Sequence, residues 1–176
     1  LSSHINIMMN QLGFLMRGEI IWDKSASAGS SCAWGSFQSA SNPCLRDVHE
    51  YLLVFSKGNY KLLREKSERA EGRIDTIPRD DFIHHTKSIW SFPTERASRV
   101  NHPAPFPVEL PKRCIEMYSF AGDIVLDPFN GSGSTCVAAK MTGRTYIGVD
   151  LSQEYCNIAQ KRLDETEAWT APVVEV

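Results

Sequence analysis

Apolar positions along the chain follow two rhythms, short continuous runs and helical spacings, with polar stretches between them. "GEIIWDK" (18–24) and "VHEYLLVFSKG" (48–58) are short runs rich in β-branched and aromatic residues, which predicts two strands, the second ended by Gly58. Between them "SASAGSSCAWGSFQSASNPCLRD" (25–47) is small and polar, which predicts a long loop across which the strands could pair antiparallel. A loop of that length in a compact domain is usually functional or mobile.

Residues 59–88 are polar and irregular, with a helix expected in "YKLLREKSERAEG" that stops at Gly72. "SIWSFPTERASRVNHPAPFPVELP" (88–111) is crowded with proline and is expected to be extended up to about Pro107, because each proline turns its predecessor away from helix. From Pro107 the spacing becomes helical in "PVELPKRCIEMYSF", with Pro111 in the first turn, where its missing N–H costs nothing. After the turn "AGD" the pattern predicts a buried strand "IVLDP" (124–128), a glycine loop, and a helix "STCVAAKMTG" stopped by Gly143. A strand "TYIGVD" (145–150) and a last helix "SQEYCNIAQKRLDE" follow. The fold class is therefore α/β: a right-handed parallel βαβ unit plus an antiparallel strand pair.

The loop "DPFNGSGST" (127–135) carries the candidate chemistry. A phosphate-gripping loop needs a lysine after its second glycine, and none is present. A dinucleotide fingerprint needs a third glycine where Cys136 stands, which counts against a nicotinamide cofactor. Gly131 and Gly133 let the backbone approach a bulky ligand, and Asp127 can accept hydrogen bonds from a ligand ammonium. Asp150, 19 residues beyond Gly131, ends the next strand, where ribose hydroxyls would lie. A loop, a ribose acid and no phosphate anchor suit a nucleoside with an amino-acid tail, and S-adenosylmethionine is such a ligand. Asp150 could instead cap the following helix, and Asp127 could be a turn residue before Pro128.

Composition narrows the class further. The 176 residues suffice for one domain or a large piece of one, and no apolar run reaches membrane-spanning length. Five scattered cysteines, none in a C-x-x-C pair, predict neither a zinc site nor disulfides, and a reducing cytoplasm; no metal site is expected. Net charge is −2, but residues 57–113 hold twelve Lys/Arg against eight Asp/Glu, while residues 114–176 hold four against nine. The basic middle fits a DNA-facing segment or merely solvated charges. Trp22 is expected in the core; Trp34 and Trp90 fit either packing or nucleic-acid contact. His49 shows no metal spacing, and His84 and His85 are expected at the surface or beside phosphates.

"HPAPFPVELPKRCIEMYSFAGDIVLDPFNGSGSTCVAAKMTGRTYIGVDLSQEYCNIAQKRL" resembles the permuted group of DNA amino-methyltransferases of restriction–modification systems, whose catalytic motif precedes the cofactor loop. "GFLMRGEIIWDK", "WGSF", "RDVHEYLLVFSKG" and "SIWSFPTE" are similar to the middle of such enzymes, so the resemblance covers nearly the whole chain. It implies a partial Rossmann-like class I methyltransferase fold that uses S-adenosylmethionine to methylate adenine or cytosine amino groups in double-stranded DNA. Asp127, Phe129, Gly131, Gly133, Ser134 and Thr135 would surround the cofactor and Asp150 its ribose, with His102, Pro103 and Phe106 on the methionine side. By the same resemblance, residues 1–58 hold the strand pair and long loop, 59–101 a short target-recognition-like insert, and 102–176 the cofactor-binding part.

One element of the pattern is missing. The family's Asp, Asn or Ser followed by Pro-Pro-aromatic holds a flipped-out base, and this chain has no Pro-Pro. No catalytic residue is therefore assigned, and the resemblance implies that two central strands are absent as well. Three explanations stand open. The chain is a C-terminal piece of a longer enzyme, one subunit of a split methyltransferase, or a non-catalytic remnant that binds cofactor or a partner. An unpaired sheet edge would favour self-association in each case.

Overall fold

The structure is a computed structural model that describes residues 2–25, 45, 47–61, 73–95 and 106–171. The chain divides into two compact units, Leu1–Arg64 with Thr86–Pro93, and Glu65–His85 with Thr94–Val176.

In the first unit, helix α1 (Ser2–Gln11) precedes strand β1 (Phe14–Asp23), which pairs antiparallel with β2 (His49–Lys57). β1 starts four residues before the expected Gly18, because "FLM" continues the ladder past a bulge between Met16 and Gly18. Gly58, at φ +83°, ends β2 where a side chain would be strained. The expected pair is in fact a three-stranded mixed sheet of order β2-β1-β3, in which β3 (Ile89–Ser91) runs parallel to β1. Trp22 and Trp90 sit in register on neighbouring strands and are 2% and 1% exposed. Trp22 stacks on Phe92 and donates from Nε1 to the Phe92 carbonyl at 3.0 Å. Packing thus accounts for both tryptophans. Trp34 and the body of the 25–47 loop lie outside the described residues, as does most of the helix expected over 60–72.

The second unit holds a short helix not foreseen in the sequence, α2 (Arg79–His85), then α3 (Glu109–Tyr118), β4 (Ile124–Asp127), α4 (Ser134–Met141), β5 (Thr145–Gly148) and α5 (Gln153–Asp164). β4 and β5 pair in parallel, as the βαβ pattern requires. Small residues let α4 press closely on its neighbours: Ala138 and Ala139 are fully buried and pack with Ile115 of α3 and with Val125 and Tyr146 of the strands. Arg144 ties three segments together, donating to Ser119 Oγ (3.1 Å) and Ser119 O (2.6 Å), to Thr142 O, and to Thr76 Oγ1.

Two expectations are corrected here. The apolar run "IVLDP" predicts a buried strand, but Ile124 and Leu126 are 68% and 61% exposed, and Ile147 of β5 is 50% exposed. Val125 and Tyr146 meet the helices, whereas the opposite side of this strand pair carries no cover among the described residues. His85, expected at the surface or beside phosphates, is buried on α2, while its neighbour His84 is exposed. Consecutive helical residues point about 100° apart, so only one of the two can face inward. Burial, and secondarily the charge of Arg113, lowers the His85 pKa, which favours neutral imidazole.

Candidate functional site

The glycine loop lies between the C-terminal end of β4 and the start of α4, and the end of β5 lies beside it. Backbone bonds fasten both sides: Asn130 N–H donates to the Val149 carbonyl at 2.9 Å, and Val149 N–H to the Asp127 carbonyl at 2.9 Å. Asp127 Oδ1 accepts from Phe129 N–H at 3.0 Å, so this carboxylate does serve the turn around Pro128. Phe129 is 87% exposed at the tip.

Asp150 is not the cap of α5. Ser152 is, accepting from Tyr155 N–H at 3.4 Å. Asp150 instead accepts from Gly131 N–H through Oδ2 and from Ser152 N–H through Oδ1, both at 2.8 Å. The residue expected at the ribose is thereby bound to the loop expected around the cofactor, across 19 residues of sequence.

The glycines have separate reasons. Gly131 has φ +49°, a conformation that other residues adopt with strain. Gly133 caps α4 at φ +84°, and a β-carbon there would lie 2.7 Å from Ala159 Cβ of α5. Close helix packing, rather than ligand approach, is what demands glycine at 133. Ser134, expected near the cofactor, is 4% exposed and donates its hydroxyl to the Phe106 carbonyl at 3.0 Å. Thr135, next on α4, is half-buried. His102 and Pro103 lie outside the described residues.

Three residues of the site have roles not assigned from the sequence. Asn130 is buried beneath the loop; its carbonyl accepts from Gly133 N–H at 2.8 Å, and its Oδ1 accepts from Cys136 Sγ at 3.1 Å. Gly148 makes room for it, since a β-carbon at 148 would fall 2.5 Å from Asn130 Cγ. A glycine inside a strand is the signal that could have pointed there. Arg162 of α5 donates from Nη1 to the Ser132 carbonyl at 2.6 Å and to Ser132 Oγ at 3.1 Å. Burial, with a smaller contribution from the charge of Asp127, pushes the Cys136 thiol up to about 11, so it is a protonated donor.

A parallel strand–loop–helix–strand, with an acid two residues beyond the second strand bonded to the glycine loop, is the arrangement on which α/β proteins commonly seat nucleotide cofactors. Residues 2–161 match the N6/N4 DNA methylase family, and the chain belongs to it. It is 32% identical over 160 residues to the type II methyltransferase M.MthZI of Methanothermobacter thermautotrophicus, covering 88% of this chain and 45% of that protein. It is 30% identical over 166 residues to the DNA adenine methyltransferase YhdJ of Escherichia coli, covering 90% of this chain and 55% of YhdJ. The chain thus spans about half the length of these curated relatives. TTHA0409 of Thermus thermophilus, solved in complex with S-adenosyl-L-methionine, superposes with a TM-score of 0.69 at 29% identity, over 93% of this chain and 59% of its own. The cytosine-N4-specific PvuII DNA methyltransferase shares the fold alone, with a TM-score of 0.64 at 20% identity, over 90% of this chain and 54% of its own. The α/β, Rossmann-like class I methyltransferase fold expected from the sequence is the fold observed.

Proposed function

We propose that this chain is the cofactor-binding part of a site-specific DNA methyltransferase. In this reading a methyl group passes from S-adenosylmethionine to an exocyclic amino group of cytosine or adenine in double-stranded DNA. The observation that carries it is the bond from Gly131 N–H to the Asp150 carboxylate, which brings loop and ribose acid to one sheet end. Asp150 accepts a backbone N–H through each carboxylate oxygen, which holds it beside the loop as the acid proposed to meet the ribose hydroxyls. Asp127 gives one oxygen to its turn and has the other for the methionine ammonium. Phe129, exposed at the tip, offers a ring face to the adenine. Gly131, Gly133 and Thr135 complete the cradle, and Ser134 acts by holding Phe106. By family resemblance His102, Pro103 and Phe106 take the methionine side.

The bound donor supplies an electrophilic sulfonium methyl. The chain's own contribution is to bind and orient it, and positioning accounts for much of the rate in such transfers. Residues 59–101 are assigned to a target-recognition-like insert, within which His85 and the strand bearing Trp90 serve packing rather than DNA contact. With no Pro-Pro-aromatic motif in the sequence, the group that accepts hydrogen bonds from the flipped base is assigned to polypeptide beyond these 176 residues. The isolated chain is expected to bind cofactor without methylating.

A second reading, that a separate chain supplies the catalytic motif and further strands, is supported by the aliphatic side of β4 and β5. Ile124, Leu126, Ile147 and Val149 are each at least half exposed, whereas parallel sheets are ordinarily covered on both faces. Calorimetric titration with S-adenosylmethionine, with NADH as control, tests the cofactor reading. Saturable binding of the methyl donor alone supports it; binding of NADH alone, or of neither, overturns it.

A further inference from the structure

α5 places two adjacent basic residues in opposite surroundings. The Lys161 side chain is 78% exposed and comes no closer than 4.0 Å to Glu165. Arg162 is turned inward, and its Nη1 meets three acceptors on the glycine loop: Ser132 O at 2.6 Å, Ser132 Oγ at 3.1 Å and Ser134 Oγ at 3.3 Å. Both serines are nearly buried, at 5% and 4% exposure. Ser134 accepts from Arg162 and donates its own hydroxyl proton to the Phe106 carbonyl at 3.0 Å. One guanidinium therefore joins α5, the loop and the segment that leads into α3. Such a site is costly to build, because burial disfavours the cation and works to lower the Arg162 pKa, opposed by Glu95.

We propose that Arg162 is a positioning residue for the cofactor site: it fixes the Ser132–Gly133 peptide and, through Ser134, the Phe106 carbonyl, so that loop and Phe106 segment present one preformed surface to S-adenosylmethionine. This inference rests on the cofactor reading above. A preformed loop loses little conformational freedom on binding, which is where its contribution to affinity arises. All three contacts come from Nη1, which the planar guanidinium holds in a fixed place, whereas a lysine ammonium sits on a shorter-reaching, more flexible stem.

The test compares Arg162→Met and Arg162→Lys with the unaltered 176-residue chain, by amide hydrogen exchange and by titration with S-adenosylmethionine. Arg162→Met is expected to speed exchange in the loop, including Gly131 and Gly133, by about tenfold or more and to weaken the dissociation constant comparably. Exchange in β4 and β5 is expected to stay unchanged, and Arg162→Lys to fall between the two. Unchanged loop exchange or unchanged affinity in Arg162→Met overturns the proposal while leaving the cofactor reading intact. If the unaltered chain fails to bind, the cofactor reading falls, and this inference with it. Should Arg162→Met lose protection throughout the unit, Arg162→Lys decides: intermediate loop exchange and affinity support the proposal, and wild-type values of both overturn it.

Discussion

Gly133 and Ala159 meet with no space for another methyl group between them: a β-carbon on Gly133 would stand 2.7 Å from Ala159 Cβ and 3.0 Å from Ala159 Cα. Gly133 also has φ +84°. Gly133→Ala is expected to cost about 1–3 kcal/mol of stability from overpacking and backbone strain together. Urea unfolding checks this. Adding Ala159→Gly removes the Cβ contact but leaves the close Cα of residue 159, the strain and a glycine inside α5, so recovery is expected to be partial at most, and full recovery would contradict the account. Loss of cofactor binding in a Gly133 variant would therefore report on the fold of the loop as well as on any ligand contact.

Asp150 has two functions in this account, and two substitutions separate them. Asp150→Ala removes the acceptor for Gly131 N–H and the proposed ribose acid together, and is expected to weaken S-adenosylmethionine binding by about tenfold or more. Asp150→Asn keeps one carbonyl oxygen and should lose less. Titration of both variants checks the order; equal affinity to wild type in both would remove Asp150 from the site.

Much of this site was legible because its signals are local. The glycine loop, the approximate bounds of β2 and α4, the start of β5, and Pro111 in the first turn of α3 follow from spacing and backbone chemistry within a few residues, whereas β5 ends at Gly148, two residues before the expected Asp150. What escaped depends on distant partners. β3 is three residues long and exists through its register with β1, and α2 has seven residues, too few for a helical period to stand out. Arg162 resembles any solvated helix charge until Ser132 is seen beneath it. The run "IVLD" suggests burial on both faces because its composition cannot tell which side the helices cover. Residues 60–72 and 96–105, where further expectations fell, lie largely or wholly outside the described residues.

Glu116 gives a pH dependence. It is 6% exposed, its Oε2 has no hydrogen-bond partner among the described residues, and burial raises its pKa above the usual 4.5 despite the charges of Lys112 and Arg144. A carboxyl that is harder to ionise when folded contributes stability that is full below about 4.5 and is lost as pH rises through the raised value. Glu116→Gln is therefore expected to melt higher than wild type at neutral pH, with the gap shrinking as pH falls towards 4.5. A lower melting temperature for Glu116→Gln at neutral pH would mean that the carboxylate is a net favourable partner of Arg144.

Thiol chemistry reports on the same packing. Burial pushes Cys114 and Cys136 up to about 11, and Cys136 is further tied to Asn130 Oδ1 at 3.1 Å. Both are expected to alkylate with iodoacetamide at about pH 8 roughly a hundredfold more slowly than in the urea-unfolded chain, because the thiolate is the reactive form. Peptide mass spectrometry reads each site. Rapid labelling of Cys136 in the folded chain would contradict a closed underside to the loop.

The most direct test of the central claim is photo-crosslinking of radiolabelled S-adenosylmethionine to the 176-residue chain, followed by tryptic mapping. The account predicts label in the peptides spanning residues 114–140 and 145–161, which carry Phe129, the glycine loop and Asp150, and its loss when excess unlabelled cofactor competes. No competable label, or label confined to other peptides, would contradict the assignment of this loop and acid to the cofactor.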